Sequence, residues 1–328
     1  MISLLKKAAL GIVAILLVGP FLVPVSSSGT LTKEAAAATV WGNESEWVEL
    51  AGHEVHYVTA GDKASDRLII LMHGFGASAL SYRDVMEPLS KLGYVIAYDR
   101  AAFGFTERPT EWQVNPYGIE GQLQVIDDLI SKFGQNKEVF LLGHSAGGSI
   151  AASYAVDNQD RLDGLILFAP AVLTSGGSPS WLNWVYSVPQ LDHLGPLLVS
   201  TIATNGLDLL YTSYFDESKV TAEILAGYTS PLKINGWEQA FWEFNRAPRD
   251  SDISKRLSEI TSPTLVITGD TDKVVTAADS INVSQIIKNS ELVIIKNAGH
   301  LPNEESPVEF AEAVSSFIQK LEVSSARK

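Results

Sequence analysis

Cysteine is absent from the 328-residue chain, and histidine is scarce, with six residues. The lack of cysteine excludes disulfides, thiolate zinc sites and a cysteine nucleophile, and it leaves the redox compartment open. The histidines do not form a cluster of metal ligands, since His53 and His56 lie three apart on a predicted strand and therefore face opposite sides of it. The sequence predicts neither a structural metal nor a cofactor.

Positive charge is also in short supply. The chain holds 24 Lys and Arg against 38 Asp and Glu, which gives a formal net charge of −14. The first 38 residues carry three lysines and one glutamate, net +2, so the remaining residues stand at −16. Because such a surface repels polyanions, the composition argues against nucleic-acid binding. With 46% hydrophobic residues, the chain is typical of globular proteins.

The N-terminus has the features of a targeting segment. Lys6 and Lys7 precede an uncharged apolar stretch, residues 8–25, that is interrupted by two prolines. A basic start and a long apolar run indicate a signal peptide or a membrane anchor with its N-terminus inside. We expect residues 1–38 to form this segment and a linker, the linker covering Ser26–Thr39. The body then lies outside the cytoplasm, membrane-anchored through residues 8–25 if the segment is uncleaved and secreted if it is cleaved.

Strand-like and helix-like stretches alternate along the rest of the chain. Near-continuous Val, Ile and Leu in the later strands is typical of strands that are buried on both faces. The alternation predicts an α/β fold: a mostly parallel eight-stranded sheet with helices on both faces. The predicted strands are Trp47–Leu50, His53–Thr59, Arg67–Met72, Tyr94–Tyr98, Glu138–Leu142, Gly164–Phe168, Thr264–Thr268 and Glu291–Ile295. The predicted helices are Ser81–Leu92, Gly118–Phe133, Ala146–Asp157, Ala277–Lys288 and Ser306–Leu321.

One interval, Ser175–Asp252, breaks the alternation. It contains no clear buried strand and is rich in Trp, Tyr, Phe and Leu, so we expect an inserted helical lid between two core strands. This predicts a core of two parts, residues 39–174 and 253–328, with the lid as residues 175–252. The aromatic residues of the lid favour an apolar substrate, although ordinary packing of a lid against the core would also account for them.

The segment Gly143-His144-Ser145-Ala146-Gly147 follows a buried strand and leads into a helix of small residues. Gly-x-Ser-x-Gly in that setting indicates a nucleophile elbow, a tight strand-to-helix turn that exposes the serine above the sheet. We therefore predict Ser145 as the nucleophile. His144 is a poor candidate for its base, because neighbouring residues of a strand point to opposite faces.

A serine hydroxyl needs a base to take its proton, and the base needs a carboxylate to orient it. His300 follows the last predicted strand and is the predicted base. The carboxylate is expected between serine and histidine in the sequence, where Asp270 and Asp272 both follow the seventh strand. The backbone N–H groups of Phe75 and Ala146 are the predicted oxyanion hole.

These features together resemble the α/β-hydrolase fold superfamily in its lid-bearing form. "HGFGAS", "YDRAAFGFTERP", "GHSAGG", "TLVITGDTDKVV" and "AGHLPNEESP" stand in that family's order and spacing. The resemblance implies a triad of Ser145, Asp272 and His300, since the family's Gly-x-x-Asp spacing selects Asp272. Two departures blur the subfamily: Ala101-Ala102 replaces the frequent Pro-Gly, and Ala146 stands where many relatives have Met or Gln. A serine at the elbow differs from the aspartate of haloalkane dehalogenases and epoxide hydrolases.

The expected activity is hydrolysis of a small or medium apolar carboxylic ester by a cofactor-free and metal-free acyl-enzyme mechanism. The same triad could serve C–C bond hydrolysis or perhydrolysis, and a hydrolase fold can also act as a ligand-binding protein. The oxyanion loop lacks the Ser-Gly-Pro-Gly sequence that is typical of C–C hydrolases of this fold. The expected partners are a small apolar ester and, for an uncleaved chain, the membrane; no obligate protein partner is inferred.

Overall fold

An eight-stranded sheet forms the centre of the computed structural model, which describes residues 2–173, 182–248 and 251–325. Each predicted strand is present, with ends that differ by two residues at most. The strands are β1 Glu46–Leu50, β2 His53–Ala60, β3 Arg67–Met72, β4 Tyr94–Tyr98, β5 Glu138–His144, β6 Gly164–Phe168, β7 Thr264–Gly269 and β8 Ser290–Ile295.

The strand order is β1-β2-β4-β3-β5-β6-β7-β8. The pairs β1–β2 and β2–β4 are antiparallel, and every later pair from β4 to β8 is parallel. The carboxyl ends of β5, β7 and β8 therefore meet at one edge of the sheet, which is where ligands bind in parallel α/β sheets. The predicted fold class is confirmed.

Helices of the body cover both faces of the sheet. The helices, including those of the N-terminus and the insertion, are α1 Ile2–Val18, α2 Lys33–Trp41, α3 Met86–Ser90, α4 Ile119–Phe133, α5 Ser145–Asp157, α6 Leu182–Ser187, α7 Pro189–Ser213, α8 Ala222–Thr229, α9 Trp237–Arg246, α10 Ile253–Arg256, α11 Ala277–Ile286, α12 Pro302–Glu305 and α13 Pro307–Ser325. Alternation along β3 divides the core: Leu68 and Ile70 pack with α4 and α5, whereas Ile69 and Leu71 pack with α3 and α13.

The predicted helix Ser81–Leu92 is wrong in its extent. The chain instead forms a 3₁₀ turn, Ala79–Tyr82, and then the short helix α3. The turn is held at its start by the carboxylate of Asp99, which accepts the Ala79 N–H at 2.6 Å. Pro88 is tolerated in a helix near its first turn, and α3 begins two residues before it.

The insertion is helical and packs directly on the body. Helices α6 to α9 lie within the predicted interval, whose start at Ser175, and whose Trp181, fall outside the described residues. Phe103 and Tyr117 of the body form one buried cluster with Ala240 and Phe244 of α9. The lid therefore shares a hydrophobic core with the domain that it covers.

The prediction of a linker over Ser26–Thr39 is wrong for its second half. Helix α2 begins there, with the Thr32 hydroxyl accepting the Ala35 N–H, and Ala36 and Ala37 are fully buried. Their small side chains allow α2 to pack closely on the lid's 3₁₀ turn Ser230–Lys233. These residues belong to the folded body.

The apolar N-terminal stretch divides into two elements. Helix α1 ends at Val18, and a 3₁₀ turn, Gly19–Leu22, contains Pro20. Of the helices in residues 2–173, 182–248 and 251–325, none combines the length and the apolar character needed to cross a bilayer.

Candidate active site

Ser145 occupies a strained turn between β5 and α5. Its φ is +49°, a conformation that costs a residue with a side chain about 1–3 kcal/mol and is found mainly at functional sites. The flanking glycines make the turn sterically feasible. A Cβ on Gly143 would lie 2.7 Å from the Gly147 carbonyl oxygen, and one on Gly147 would lie 2.5 Å from the His73 carbonyl oxygen. The structure thus has the geometry that the elbow motif predicts.

His300 and Asp272 form a buried pair. His300 lies in the loop after β8 and Asp272 in the loop after β7, and His300 Nδ1 is 2.8 Å from Asp272 Oδ2. Asp272 Oδ1 accepts the backbone N–H groups of Val274 at 2.8 Å and Val275 at 2.9 Å. An ionised carboxylate accepts hydrogen bonds and cannot donate them, so Nδ1 carries the proton and Nε2 is left as an acceptor.

Asp270, the other carboxylate after β7, has a different position. Its Oδ1 accepts the Asn297 N–H at 2.9 Å, and its Oδ2 lies 3.5 Å from the exposed Lys296 ammonium. It therefore joins the end of β7 to the turn that follows β8. The structure brings Asp272, and not Asp270, to His300.

The loop after β3 lies directly over the elbow. A Cβ on Gly74 would be 3.1 Å from the Ser145 Cβ and 2.7 Å from His144 Nδ1, so this approach requires glycine. Phe75 follows Gly74 in this loop, and Ala146 lies in the first turn of α5, where N–H groups have no partner within the helix. These are the two residues predicted to supply the oxyanion hole.

His73 holds this loop in place. Its Nε2 accepts the Arg100 N–H at 2.9 Å, and its Nδ1 therefore donates to the Gly74 carbonyl at 2.8 Å. Burial lowers the pKa of His73 to about 3, so the imidazole is neutral.

His144 has a role that sequence reasoning missed. Its Nε2 donates to the His300 carbonyl oxygen at 2.9 Å, and its ring stacks on Phe168 with centroids 4.5 Å apart. Burial, with a further contribution from His300, lowers the pKa of His144 well below its usual range. A neutral His144 thus supports the backbone of His300. The only indication of this role in the sequence is the position of His144 next to Ser145.

A small apolar cavity of about 60 Å³ lies between the loop after β3 and the lid. Its walls include Ala77, Phe103, Tyr228, Trp237 and Phe241. Phenylalanine rings continue from it toward the predicted oxyanion hole, with centroids 4.8 to 6.2 Å apart in the pairs formed by Phe75, Phe103, Phe241 and Phe244.

A second Ser-His-Asp relay lies away from the elbow. Ser45 Oγ is 3.0 Å from His56 Nε2, and His56 Nδ1 is 2.7 Å from Asp99 Oδ2. Ser45 directly precedes β1 at the antiparallel edge of the sheet, and Asp99 also accepts the N–H groups of Ala79 and Phe105. This relay joins the edge strands to the neighbouring loops, and it supplies a control for experiments on Ser145.

Within the part of the chain that the structure describes, no group of three or more His, Asp or Glu side chains is arranged to hold a metal ion.

Comparison with known proteins gives a consistent result. The family model for the alpha/beta hydrolase fold matches residues 67–307. Monoacylglycerol lipase abhd6-A of Xenopus laevis is 23% identical over 285 residues, which are 86% of this chain and 84% of that protein. A 2-hydroxy-6-oxo-2,4-heptadienoate hydrolase of Pseudomonas putida is 26% identical over 277 residues, 80% of this chain and 91% of that protein.

The crystal structure of a membrane phospholipase A is 23% identical in sequence and superposes with a TM-score of 0.64, covering 98% of this chain and 97% of that one. This likeness concerns the fold. The family match spans well over half of the chain, and the sheet order and the elbow agree with it. The chain therefore belongs to the α/β hydrolase family and is an enzyme of that family.

Proposed function

We propose that the protein is a serine hydrolase that cleaves carboxylic esters of apolar substrates through an acyl-enzyme. The observation that carries this proposal is the 2.8 Å contact between His300 Nδ1 and Asp272 Oδ2 at the sheet edge that also holds the strained and largely buried Ser145. This contact leaves His300 Nε2 free to accept a proton from serine.

The reaction starts when His300 takes the Ser145 proton and the serine oxygen attacks the acyl carbon. The N–H groups of Phe75 and Ala146 stabilise the oxyanion, each contributing about 3–4 kcal/mol in the transition state. His300 then protonates the leaving alcohol, and a water molecule activated by the same histidine hydrolyses the acyl-enzyme. Asp272 keeps the proton on Nδ1 and stabilises the imidazolium at each step.

The surroundings of the site favour an apolar acyl group. The cavity beside the loop after β3 is lined mainly by aromatic and aliphatic side chains, and the exposed fraction of Phe75 is 42%. Such surfaces bind hydrocarbon by removing it from water. The lipase among the relatives supports an ester, whereas the heptadienoate hydrolase keeps C–C bond hydrolysis as the second candidate.

A series of p-nitrophenyl and monoacylglycerol esters with acyl chains of graded length tests this proposal. We expect turnover that rises from acetate to a medium chain, with complete loss in Ser145→Ala and full activity in the control Ser45→Ala. Cleavage of a 2-hydroxy-6-oxo-dienoate without ester turnover would favour the C–C hydrolase, and peroxide-dependent peracid formation would favour the perhydrolase. A protein that binds these esters and turns over none of the substrates would contradict an enzymatic role.

We further propose that the N-terminus attaches the protein to a membrane with the body outside the cytoplasm. Large apolar side chains of α1 and the turn after it are exposed, including Leu10, Ile15, Leu16 and Leu22 at 66–77%. Contiguous exposed apolar surface of this kind marks an interaction site. Lys6 and Lys7 add attraction to anionic lipid headgroups.

Fractionation of expressing cells tests the attachment. Full-length protein is expected in the membrane pellet, and Ile15→Lys with Leu16→Lys should shift it toward the soluble fraction. Val308→Lys, which charges an equally exposed apolar residue on α13, is the control and should stay in the pellet. Recovery of the unaltered protein wholly in the soluble fraction would contradict the proposal.

A further inference from the structure

Two consecutive glutamates, Glu304 and Glu305, follow the predicted catalytic histidine on the short helix α12. Their exposed fractions are 8% and 5%. Buried carboxylates are costly unless hydrogen bonds and opposite charges compensate for the lost water. The partners of both side chains come from the lid and from the loops around the site.

The Glu304 carboxylate accepts hydrogen bonds from three separate segments of the chain. Its Oε1 accepts the hydroxyls of Ser81, at 2.7 Å, and Tyr228. Its Oε2 accepts Arg83 Nη1 at 2.8 Å and the Tyr214 hydroxyl at 2.7 Å. Ser81 and Arg83 belong to the body beyond the loop after β3, whereas Tyr214 follows lid helix α7 and Tyr228 lies on lid helix α8.

The charge state of these partners suits the arrangement. Burial, together with the negative charge of Glu304, raises the pKa of Tyr214 and Tyr228, so both hydroxyls remain donors. Burial disfavours the charge on Arg83, but the adjacent Glu304 outweighs it and raises the pKa of the guanidinium. The carboxylate thus has one cationic and three hydroxyl partners.

Glu305 joins the lid base, residues 213–229, to the histidine loop, residues 297–301. Its Oε1 accepts the Phe215 N–H at 2.8 Å and the Asp216 N–H at 3.1 Å. Its Oε2 accepts the Gly299 N–H at 2.6 Å. The two oxygens of one carboxylate therefore hold the residues after α7 and the residue before His300 together.

The backbones of these two segments are in direct contact. The His300 N–H donates to the Ser213 carbonyl oxygen at 2.7 Å. A Cβ on Gly299 would lie 2.4 Å from that same oxygen, so the approach leaves no room for a side chain. On the other side of Glu304, a Cβ on Gly227 of α8 would lie 2.1 Å from Leu80 Cδ2. The lid base and the histidine loop are therefore in direct backbone contact.

We infer that Glu304 is a positioning residue, which clamps the lid base through Tyr214 and Tyr228 and so holds His300 in its catalytic position. The inference rests on the proposed role of His300 as the general base. It differs from a purely structural role, because it makes the geometry of the base depend on two hydroxyls in the lid. A displacement of about 1 Å at a reacting group lowers the rate by up to about 100-fold.

The clamp is tested on the detergent-solubilised full chain with Tyr214→Phe, Tyr228→Phe and Glu304→Gln. Each tyrosine variant removes one hydroxyl and keeps the ring, so its fold is expected to survive even if Glu304→Gln fails to fold. The matched controls are Tyr57→Phe, which removes a tyrosine hydroxyl from Glu46 at the far edge of the sheet, and the exposed Glu309→Gln.

Amide hydrogen exchange and steady-state kinetics per titrated active site give independent readouts. In the tyrosine variants we expect exchange at residues 213–229 and 297–301 to accelerate about tenfold to 100-fold, as for loss of a hydrogen bond to a charged group. We expect kcat to fall about tenfold with KM changed by less than about twofold, because positioning of the base acts on the chemical step. The controls should match the unaltered protein in both readouts.

Unchanged exchange in the histidine loop, or unchanged kcat in variants whose lid exchanges faster, would overturn the clamp. A protein that hydrolyses no substrate would contradict the proposed function instead. The exchange data would still decide in that case, because coupled acceleration of residues 213–229 and 297–301 supports the clamp, and acceleration of the lid alone overturns it.

Discussion

Replacing Asp272 by asparagine is expected to remove nearly all activity while leaving the fold intact. The reason lies in the two backbone N–H groups of Val274 and Val275 that Asp272 Oδ1 accepts. In Asp272→Asn the amide oxygen keeps these two bonds, which turns the amide NH₂ toward His300. The imidazole must then accept at Nδ1 and carry its proton on Nε2, where it can no longer take the proton of Ser145.

The size of the effect follows from the tautomer. The corresponding change in a Ser-His-Asp protease lowers kcat by about 10⁴-fold, which equals about 5.4 kcal/mol of lost transition-state stabilisation. Stability should change little, because the backbone hydrogen bonds of the loop persist. The midpoint of thermal unfolding is therefore expected within a few degrees of that of the unaltered protein.

Asp270→Asn is the matched control two residues away. Its amide oxygen can still accept the Asn297 N–H, and the ion pair that it loses, to Lys296, is exposed and worth less than about 1 kcal/mol. We expect nearly full turnover of a p-nitrophenyl ester. Equal losses in the two variants, or a larger loss in Asp270→Asn, would refute the assignment of Asp272 as the orienting acid.

Three further outcomes follow from contacts elsewhere. His73 has a folded-state pKa of about 3, so the unfolded chain binds more protons than the folded chain below pH 6.5, and the free energy of unfolding should fall by about 2 kcal/mol from this histidine between pH 7 and pH 5 in urea titrations. The lowered pKa of His144 changes stability in the same direction. A flat profile would contradict the neutral burial of both histidines. Gly74→Ala places a methyl group 3.1 Å from the Ser145 Cβ, so the loop over the elbow must move. We expect kcat/KM to fall more than about 100-fold. Retained activity would show that this loop is not part of the oxyanion hole. Glu238→Ala removes the carboxylate that accepts the hydroxyls of Ser27 and Ser28, which precede α2. Proteolysis at residues 26–32 should therefore accelerate. An unchanged rate would argue against docking of this segment on the lid.

The parts of the site that the sequence predicts are those encoded in short local patterns. The elbow depends on glycines within two residues of Ser145, and the strand before it is a continuous apolar run. Both can be predicted because the residues that determine each local structure lie within that structure. The choice between Asp270 and Asp272 needed the family spacing. Both residues are aspartates in one loop, and the direction of a side chain in a loop cannot be read from the sequence.

The glutamate clamp could not be predicted, because its donors lie about 76 to 223 residues away from Glu304 in the chain. The lid sequence has no periodic pattern that would predict Tyr214 and Tyr228 on the same face of the lid. Helix α2 illustrates a different failure. The linker prediction includes four consecutive alanines, although alanine is the strongest helix former. The lid turn that buries them lies about 190 residues further along the chain.

Covalent labelling by a fluorophosphonate decides whether Ser145 is the nucleophile of a working triad. The unaltered protein, Ser145→Ala and Ser45→Ala are exposed to the probe, and the modified peptide is identified by mass spectrometry. We predict stoichiometric modification at Ser145 in the unaltered protein and in Ser45→Ala, and none in Ser145→Ala. The Ser45 variant guards against reaction at the second Ser-His-Asp relay, whose His–Asp distance of 2.7 Å is similar to the 2.8 Å between His300 and Asp272. Undiminished labelling of Ser145→Ala, or no labelling of the unaltered protein, would contradict the proposed mechanism.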